Sequence, residues 1–452
     1  MKMVKSLLLG TAAGLVATAG AQAADLPVKA KPVQYVKICS LYGAGFYYMP
    51  GTDTCIKVGG FVRTEINFNA GGSFGTTFAD RDIRTYNYQH WRSRAAITAD
   101  ARSQTAYGTL RAYAYIAATD DSGLNSGSNI GKGGAPASLA YNRIYAPAAF
   151  IQFAGFTLGK TGSFFDFDGM AYSNQSNVWG SAQGGNGINL WAYTAQLGNG
   201  LSATISAENN LGHRLGIATT AGAASTVFGG ESIPDIVGNL RVDQAWGSAQ
   251  IMGAYHQVNF GEQIAPSDKG GWAFGAGAKV NLPMLGKGDY IIGQFTYGVG
   301  ATTYVGSGLG NTQTVKQAGV TSYGFAYDAV QTGTGTTADL TTGWSITGGL
   351  EHNWVPGWKT SLFGAYGKLQ YSTAASAILL GAVTATGGAV AGSSANWSFW
   401  QVGSRTVWTP VTNLDLSVEV MYNAQQTAFT GPTIGNNSWW SGMVRAQRNF
   451  YP

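Results

Sequence analysis

The chain repeats one pattern along most of its length: segments of about ten residues in which apolar and polar side chains alternate, joined by turns or longer loops. In residues 106–117, small and apolar side chains share one face of an extended segment, namely Gly108, Leu110, Ala112, Ala114 and Ile116. Three tyrosines, a threonine and an arginine occupy the other face, namely Tyr107, Thr109, Arg111, Tyr113 and Tyr115. Because one face suits lipid and the other suits water, the pattern predicts an all-β fold, a transmembrane antiparallel β-barrel.

The composition agrees with this prediction. Charged residues make up only 11% of the 452 residues, aromatic residues make up 12%, and 66 residues are glycine. A soluble enzyme would carry more surface charge, whereas a barrel has lipid outside and glycine-rich loops. After residue 23 no segment offers roughly 20 uninterrupted apolar residues, so we expect strands to cross the membrane. No hinge or Pro-rich linker divides the chain, which predicts a single up-and-down barrel over residues 57–452.

The first 23 residues have the features of a signal peptide. Lys2 and Lys5 precede an apolar run at 7–19, and small residues at 21–23 fit a signal-peptidase site. We therefore expect export, with the mature chain starting at Ala24. Removal of the leader leaves 25 basic against 22 acidic residues, and this balance of +3 gives no support to nucleic-acid binding.

The two cysteines, Cys39 and Cys55, lie in the segment 24–56 that precedes the barrel. In an exported chain, a lone pair this close in sequence favours a disulfide over a metal site or a nucleophile. Closing a loop of about 15 residues contributes roughly 3 kcal/mol to stability in the chain-entropy account. We expect the disulfide to stabilise a periplasmic segment that lacks sheet partners.

The alternation predicts an even number of strands, about 16, as bacterial barrels require. The predicted strands are 57–69, 90–102, 106–119, 141–153, 156–161, 188–197, 201–210, 235–244, 248–259, 272–282, 289–300, 343–354, 358–371, 398–408, 413–427 and 438–450. Every second connection is short and rich in turn formers, which is typical of the periplasmic rim. The long connections, predicted to be extracellular, are 70–89, 120–140, 162–187, 211–234, 260–271, 301–342, 372–397 and 428–437.

The same alternation predicts which charged side chains face the lumen. The inward set on the early strands is Arg63, Glu65, Arg92, Arg94 and Arg111. Later strands add Arg241, Arg405 and Arg445. Tryptophans near strand ends predict aromatic girdles at the two membrane interfaces, and they include Trp91, Trp272, Trp344, Trp354, Trp358, Trp400, Trp439 and Trp440.

The third long connection, 162–187, differs from the Gly/Ser/Thr-rich sixth and seventh. It begins with aromatic residues and acids in one run: Phe164, Phe165, Asp166, Phe167 and Asp168. Aromatic anchors suit a loop that packs on the inner wall, and acids opposite arginines create a strong transverse field. The run predicts a loop that folds into the lumen and constricts it. The alternative is a surface loop whose phenylalanines pack locally.

Other classes of function find less support. The four histidines are widely separated, and no motif for a metal, a nucleophile or a phosphate is visible, so we expect no metal site, no cofactor and no enzymatic activity. A surface adhesin remains an alternative, because the connections 301–342 and 372–397 are long. Low-complexity loops of this kind, however, more often form solvated covers over the barrel than binding sites. A sugar-selective channel is the closer alternative, since Tyr107, Tyr113 and Tyr115 point inward, but their neighbouring strands carry no matching aromatic track.

Several segments resemble the alphaproteobacterial general porins. These are the leader followed by Ala-Asp-Leu-Pro, the cysteine-bounded stretch from Val36 to Arg63, the stretch from Phe150 to Asp166, and the closing Val444 to Phe450. The resemblance spans the mature chain, and the cysteine-bounded stretch is its most specific part.

The resemblance implies an outer-membrane barrel of about 16 strands that assembles as a homotrimer, with a separate water-filled pore in each subunit. It implies passive diffusion of small hydrophilic solutes and ions, and a third loop folded into the lumen. The implied partners are further copies of the chain, outer-membrane lipid and lipopolysaccharide. In this interpretation Asp166 and Asp168 face the inward arginines across the constriction.

Overall fold

A computed structural model describes residues 37–69, 81–82, 89–121, 143–175, 179–180, 187–219, 228–261, 267–333, 337–387 and 392–450. The predicted signal peptide, most of the first two long connections and the last two residues lie outside the described residues. Within the described ranges, the dominant element is one large antiparallel sheet.

Sixteen strands of the described chain close into an antiparallel barrel, as predicted. Two short strands precede it, β1 (Lys37–Ile38) and β2 (Tyr47–Tyr48). The barrel strands are β3 (Cys55–Phe68), β4 (Gln89–Thr105), β5 (Gly108–Asp121), β6 (Arg143–Phe153), β7 (Phe156–Thr161), β8 (Ile188–Gly198), β9 (Leu201–Glu208), β11 (Asp235–Gln244), β12 (Gly247–Val258), β13 (Lys269–Asn281), β14 (Tyr290–Val299), β19 (Thr342–Val355), β20 (Trp358–Gln370), β21 (Trp397–Val411), β22 (Leu414–Gln426) and β23 (Asn437–Asn449). The described parts of the outer connections contain β10 (Gly216–Ala218), β15 (Thr312–Gln317), β16 (Val320–Phe325), β17 (Tyr327–Thr332), β18 (Thr337–Leu340) and two α-helices, α1 (Thr302–Val305) and α2 (Thr373–Gly387).

The barrel closes because its last strand pairs with its first. β23 lies antiparallel to β3, with partners running from Gly442 and Phe68 to Asn449 and Phe61. Closure leaves no unpaired sheet edge, which a lipid environment would not tolerate because it offers no water to satisfy backbone N–H and C=O groups. The register between β5 and β6 shifts beside Pro147, which interrupts the regular pairing of β6.

The segment before the barrel is tied to it covalently and by pairing. Cys39 and Cys55 form the predicted disulfide, with their Cα atoms 6.0 Å apart. The expectation that this segment lacks sheet partners is wrong: β1 pairs with β2, and β2 pairs with the start of β3 through Tyr48 and Cys55. The disulfide thus closes a small sheet that extends β3 beyond the rim.

The outer surface has the two aromatic girdles that the sequence predicts. Near one rim, the rings of Trp358 and Trp408 stack at 5.5 Å. Near the other rim, neighbouring strands bring together the rings of Trp344, Tyr366, Trp400, Tyr422 and Trp440. The prediction is wrong for Trp439, which is buried and packs inside the barrel against Phe399.

The sixth and seventh long connections are not solvated covers, contrary to prediction. Their described residues pack into the outer mouth of the barrel, where Tyr327, Val330 and Leu379 are fully buried. They form one apolar cluster with Trp179 of the third loop and with Trp397. The physical reason is that short apolar runs within these Gly/Thr-rich segments, such as 325–330, have enough surface to pack once the barrel mouth surrounds them.

No helix in the described part of the chain is long and apolar enough to span a membrane. Both helices belong to the outer connections, where α2 contributes Ala375, Leu379 and Val383 to the apolar cluster.

The two girdles give a test of the membrane position. Leu362 faces outward midway between Trp358 and Tyr366 on β20 and is 58% exposed in the isolated barrel. Leu362→Lys should destabilise the folded barrel by about 2–4 kcal/mol, the cost of a lysine at the bilayer midplane. Urea unfolding in lipid vesicles measures this loss.

The matched control is Val355→Lys, because Val355 is the cross-strand partner of Trp358 at the rim. A lysine at that level should cost roughly 0–1 kcal/mol. Equal losses for the two variants would contradict the assigned membrane position.

Candidate functional site

The described residues of the third long connection, called loop 3 here (162–187), lie inside the barrel. The first half of the loop is held by polar side chains of the inner wall. Asn239 on β11 donates a hydrogen bond to the Phe164 carbonyl at 2.6 Å. The Gln294 side chain on β14 accepts from the backbone N–H groups of Phe167 and Asp168, both at 3.0 Å. The prediction of a loop folded into the lumen therefore agrees with the structure.

Aromatic rings of loop 3 sit on inward-facing glycines of the wall. A Cβ atom added to Gly277 would lie 2.3 Å from the Phe167 ring, and one added to Gly349 would lie 2.6 Å from the Tyr172 ring. The same relation holds for Gly367 and Trp179, at 2.3 Å. These positions need glycine because the rings approach the backbone too closely for any side chain. The rings thereby fix the course of loop 3 along β13, β19 and β20.

The middle of loop 3, at Asn174 and Gln175, contacts a charged wall, defined here as the inner faces of β3–β5 and β19–β23. The Glu419 carboxylate accepts the backbone N–H groups of Asn174 and Gln175. Arg445 donates to the Asn174 side-chain oxygen at 2.9 Å and also to its backbone carbonyl. Arg405 reaches the same Asn174 oxygen at 3.4 Å. Both arginines therefore hold the loop, and neither simply faces open water.

Three carboxylates of the charged wall are each shared by two cations. Glu65 pairs with Arg92 at 3.4 Å and with Arg445 at 2.8 Å. Asp100 pairs with Arg102 at 2.7 Å and with Arg111 at 3.0 Å.

The third shared carboxylate is Glu351, which pairs with Lys359 at 3.1 Å and with Arg405 at 2.8 Å. Each of the three clusters thus has one more cation than carboxylate, and Glu419, the cross-strand partner of Arg405, offsets one of the three excess positive charges. The wall therefore has a positive field despite its acids.

Arg63 and Arg94 lie directly opposite each other on β3 and β4. Their hydrogen bonds go to neutral groups: Arg63 Nε donates to Gln447 at 2.7 Å, and Arg94 Nε donates to Thr119 at 2.9 Å. Neither arginine forms an ion pair with a carboxylate in the part of the chain that the structure describes. They add to the positive charge of the wall.

The two acids of loop 3 occupy different environments. Asp166 borders a cavity beside loop 3, whereas Asp168 is 2% exposed and accepts hydrogen bonds from the Tyr172 hydroxyl at 2.6 Å and the Met170 N–H at 2.9 Å. Burial raises the pKa of the Asp168 carboxyl above its ordinary range. The structure therefore does not bring Asp168 opposite the arginines. It makes that residue part of the internal support of the loop.

The cavity beside loop 3 has a volume of about 670 Å³. Loop 3 covers the wall from β11 to β23, so this space lies against β5–β9 and the start of the β11–β12 hairpin. Neutral polar side chains dominate its lining, including Gln152, Thr157, Thr194, Ser202 and Asn239. Arg241 also borders it, pairs with Asp243 at 2.8 Å and stacks on Phe167 at 5.3 Å. Such a lining suits water and hydrophilic solutes.

Sequence reasoning missed the loop 3 residues that contact the arginines. Asn174 and Gln175 are small polar residues in a polar stretch, and no local pattern distinguishes them. It also missed a buried cluster near the outer mouth, in which His256 and the Tyr304 hydroxyl bond the Asp235 carboxylate at 2.9 and 2.7 Å. His213 stacks on Tyr304 in the same cluster, although its position in sequence gives no sign of this.

The inward aromatic track is more extensive than predicted. Tyr113 stacks on Phe150 of the neighbouring strand at 5.2 Å, and Tyr115 contacts Phe61 of β3 at 6.3 Å. The prediction is wrong for Tyr107, which lies in the turn after β4 and is 79% exposed. No cluster of three or more His, Cys, Asp or Glu side chains suited to a metal ion is found within the described ranges.

Comparisons with known proteins agree with this geometry. A family model described as "Porin subfamily" matches residues 25–447. The porin Omp2b of Brucella canis is 34% identical over 266 residues, which cover 56% of this chain and 66% of that protein. The chain thus matches just under two thirds of the length of this relative.

Solved structures share the fold. The outer membrane channel DcaP of Acinetobacter baumannii superposes with a TM-score of 0.62 at 16% identity, covering 89% of this chain and 99% of that one. Pseudomonas putida OprB gives a TM-score of 0.51 at 12% identity, covering 87% and 94% of the two chains.

The glycine contacts of loop 3 generate a prediction. Gly349→Val should displace the Tyr172 ring and release the middle of loop 3 from the wall, because the added side chain has no room beneath the ring. We expect a larger and noisier single-channel current in planar bilayers. The control is Gly238→Val on the outward face of β11, where the nearest atom to an added Cβ is 3.9 Å away. A current like that of the unchanged protein in Gly349→Val would argue against this anchoring.

Proposed function

The chain belongs to the porin subfamily whose model it matches from residue 25 to residue 447, and from this premise we propose that it is a general diffusion porin. It is an integral outer-membrane protein, and its family consists of channels rather than enzymes. The proposed activity is passive passage of small hydrophilic solutes and ions through the barrel. The sequence resemblance described above supports the same function.

The observation that carries this proposal is the position of loop 3. It narrows the barrel but leaves a polar cavity of about 670 Å³ beside β5–β9. Hydroxyl and amide side chains can hydrogen-bond water and many different solutes, so such a lining favours solutes by size and polarity rather than by identity. The inner charge favours anions, because Glu65, Asp100 and Glu351 are each shared by two cations and the arginines of the wall outnumber its carboxylates.

An adhesin is disfavoured by the packing of the outer connections. The described residues of the sixth and seventh connections contribute their apolar side chains to the mouth of the barrel, so these side chains are not available to a partner outside the cell. A sugar-selective channel keeps support from the aromatic track of Phe61, Tyr113, Tyr115 and Phe150.

We also propose that the chain assembles as a homotrimer in contact with outer-membrane lipid and lipopolysaccharide. The outward faces of β4 and β5 support this arrangement, because Ala99 lies opposite Ala114, and Ala101 lies opposite Ala112. Small side chains make this side of the barrel flat, so that a second barrel can approach closely. Cross-linking of the purified protein, read on a native gel, tests for the trimer.

A size series tests the diffusion function. In liposome swelling assays, the rate should fall steadily from pentoses to hexoses to disaccharides, because a neutral polar passage sorts solutes by size. Liposomes without protein give the baseline. Rapid entry of one large sugar ahead of smaller ones would favour the selective channel instead.

The two acids of loop 3 allow a matched test of ion selectivity. Asp166→Asn should move the reversal potential in a salt gradient toward greater anion preference, because it removes a negative charge at the cavity. Asp168→Asn should leave the reversal potential nearly unchanged, because that carboxylate is buried against Tyr172. An equal shift of the reversal potential in both variants would show that Asp168 also faces the cavity beside loop 3.

A further inference from the structure

We propose that the Arg63 and Arg94 pair is a binding site for small carboxylates that carry a flat or apolar body. This inference rests on the proposed function and names a class of solute that the channel would hold rather than merely admit. The proposed site consists of the two arginines and the rings of Phe61, Tyr115 and Tyr145, and it is called the arginine pair site below.

The first argument is electrostatic. Arg63 and Arg94 are direct cross-strand partners. Like charges at such positions have Cβ atoms roughly 4.5–5.5 Å apart and destabilise the sheet. Elsewhere on the charged wall a shared carboxylate offsets this repulsion, as Asp100 does between Arg102 and Arg111. Within the described ranges the arginine pair site has no such carboxylate. An anion from solution would therefore occupy, between Arg63 and Arg94, the kind of position that Asp100 occupies between Arg102 and Arg111.

The second argument concerns the hydrogen-bond donors. Each guanidinium uses its Nε group on a neutral neighbour, Arg63 on Gln447 and Arg94 on Thr119. The terminal Nη groups of both arginines donate to no other group of the described chain. The Nε bonds fix both guanidinium groups, which reduces the entropy lost on binding. A guanidinium edge with free Nη groups matches the planar oxygens of a carboxylate.

The third argument concerns the aromatic rings. Arg63 lies 4.8 Å from the centre of the Phe61 ring, and Arg94 lies 5.7 Å from the centre of the Tyr145 ring. The rings of Phe61 and Tyr115 are 6.3 Å apart. These rings offer apolar surface beside the donors, which acetate or inorganic phosphate cannot use because they lack an apolar body.

The site is accessible from the passage. Tyr115 borders the cavity beside loop 3, and Phe61, Arg63, Tyr115 and Tyr145 are only partly buried. Arg94 is more enclosed, with 9% of its surface exposed. Loop 3 holds Arg405 and Arg445 through Asn174 but makes no described hydrogen bond to Arg63 or Arg94. A solute in the cavity beside loop 3 can therefore reach Arg63 and the partly buried rings without displacing the loop, and the small exposed part of Arg94 lies beside Arg63.

Current block by organic anions tests the proposal. The full-length protein in planar bilayers carries a potassium chloride current, to which benzoate, acetate or inorganic phosphate is added. We expect benzoate to interrupt the current at a concentration about tenfold lower than acetate or phosphate, because only benzoate uses both the donors and the rings. Equal block by the three anions would overturn the inference.

Variants separate a specific site from the general field. The double variant Arg63→Lys with Arg94→Lys keeps both charges but loses the planar guanidinium edges. Its chloride preference should persist, while block by benzoate should weaken about tenfold. Arg448→Gln removes one positive charge at the exposed rim and should leave the block unchanged. Unchanged block in the double lysine variant would also overturn the inference.

The design distinguishes the two proposals. Absence of any potassium chloride current from well-folded protein would count against the porin function itself. A normal current with no preferential block by benzoate would count only against the arginine pair site.

Discussion

The structure depends on one constraint: a chain in a hydrocarbon environment must satisfy every backbone N–H and C=O group internally. The pairing of β23 with β3 meets this constraint, because it turns a sheet with two open edges into a closed cylinder. Closure fixes an inside and an outside. The two-residue period of each strand then assigns every side chain to lipid or to the lumen, as on β4, where Trp91 and Ile97 face outward and Arg92 and Arg94 face inward.

A barrel of this size is too wide for its wall side chains to fill, so loop 3 determines the space inside. The loop is held in two different ways. On one side, aromatic rings sit on glycines such as Gly277 and Gly349. On the other side, Glu419, Arg405 and Arg445 bind the polar backbone and side chain of Asn174. Together these contacts draw loop 3 away from β5–β7. The passage therefore lies against tyrosines and neutral polar residues, with the positive wall beside it.

The outer connections are also part of the structure of the channel. Their apolar residues fill the mouth around Trp179 and Trp397, and Tyr304 of the sixth connection bonds the wall residue Asp235. A polar cluster buried in this way is stable only if its members are satisfied, which ties the loops to particular strands. The path of a solute from outside is thus set by folded segments rather than by a loose cover.

The sequence by itself predicted the strands, most of their inner and outer faces and the disulfide, and together with the family resemblance it favoured the inward course of the third loop. It could do so because two-residue alternation and turn residues are local signals, and because an aromatic run within a polar loop has few places to pack. Only the tertiary structure decided which charges meet. Glu65 and Arg445 form an ion pair although they are 380 residues apart in sequence. The burial of Asp168 depends on its hydrogen bond to Tyr172, whose ring packs against Gly349. Such partners follow from the register of closure and the path of loop 3, which no local pattern records.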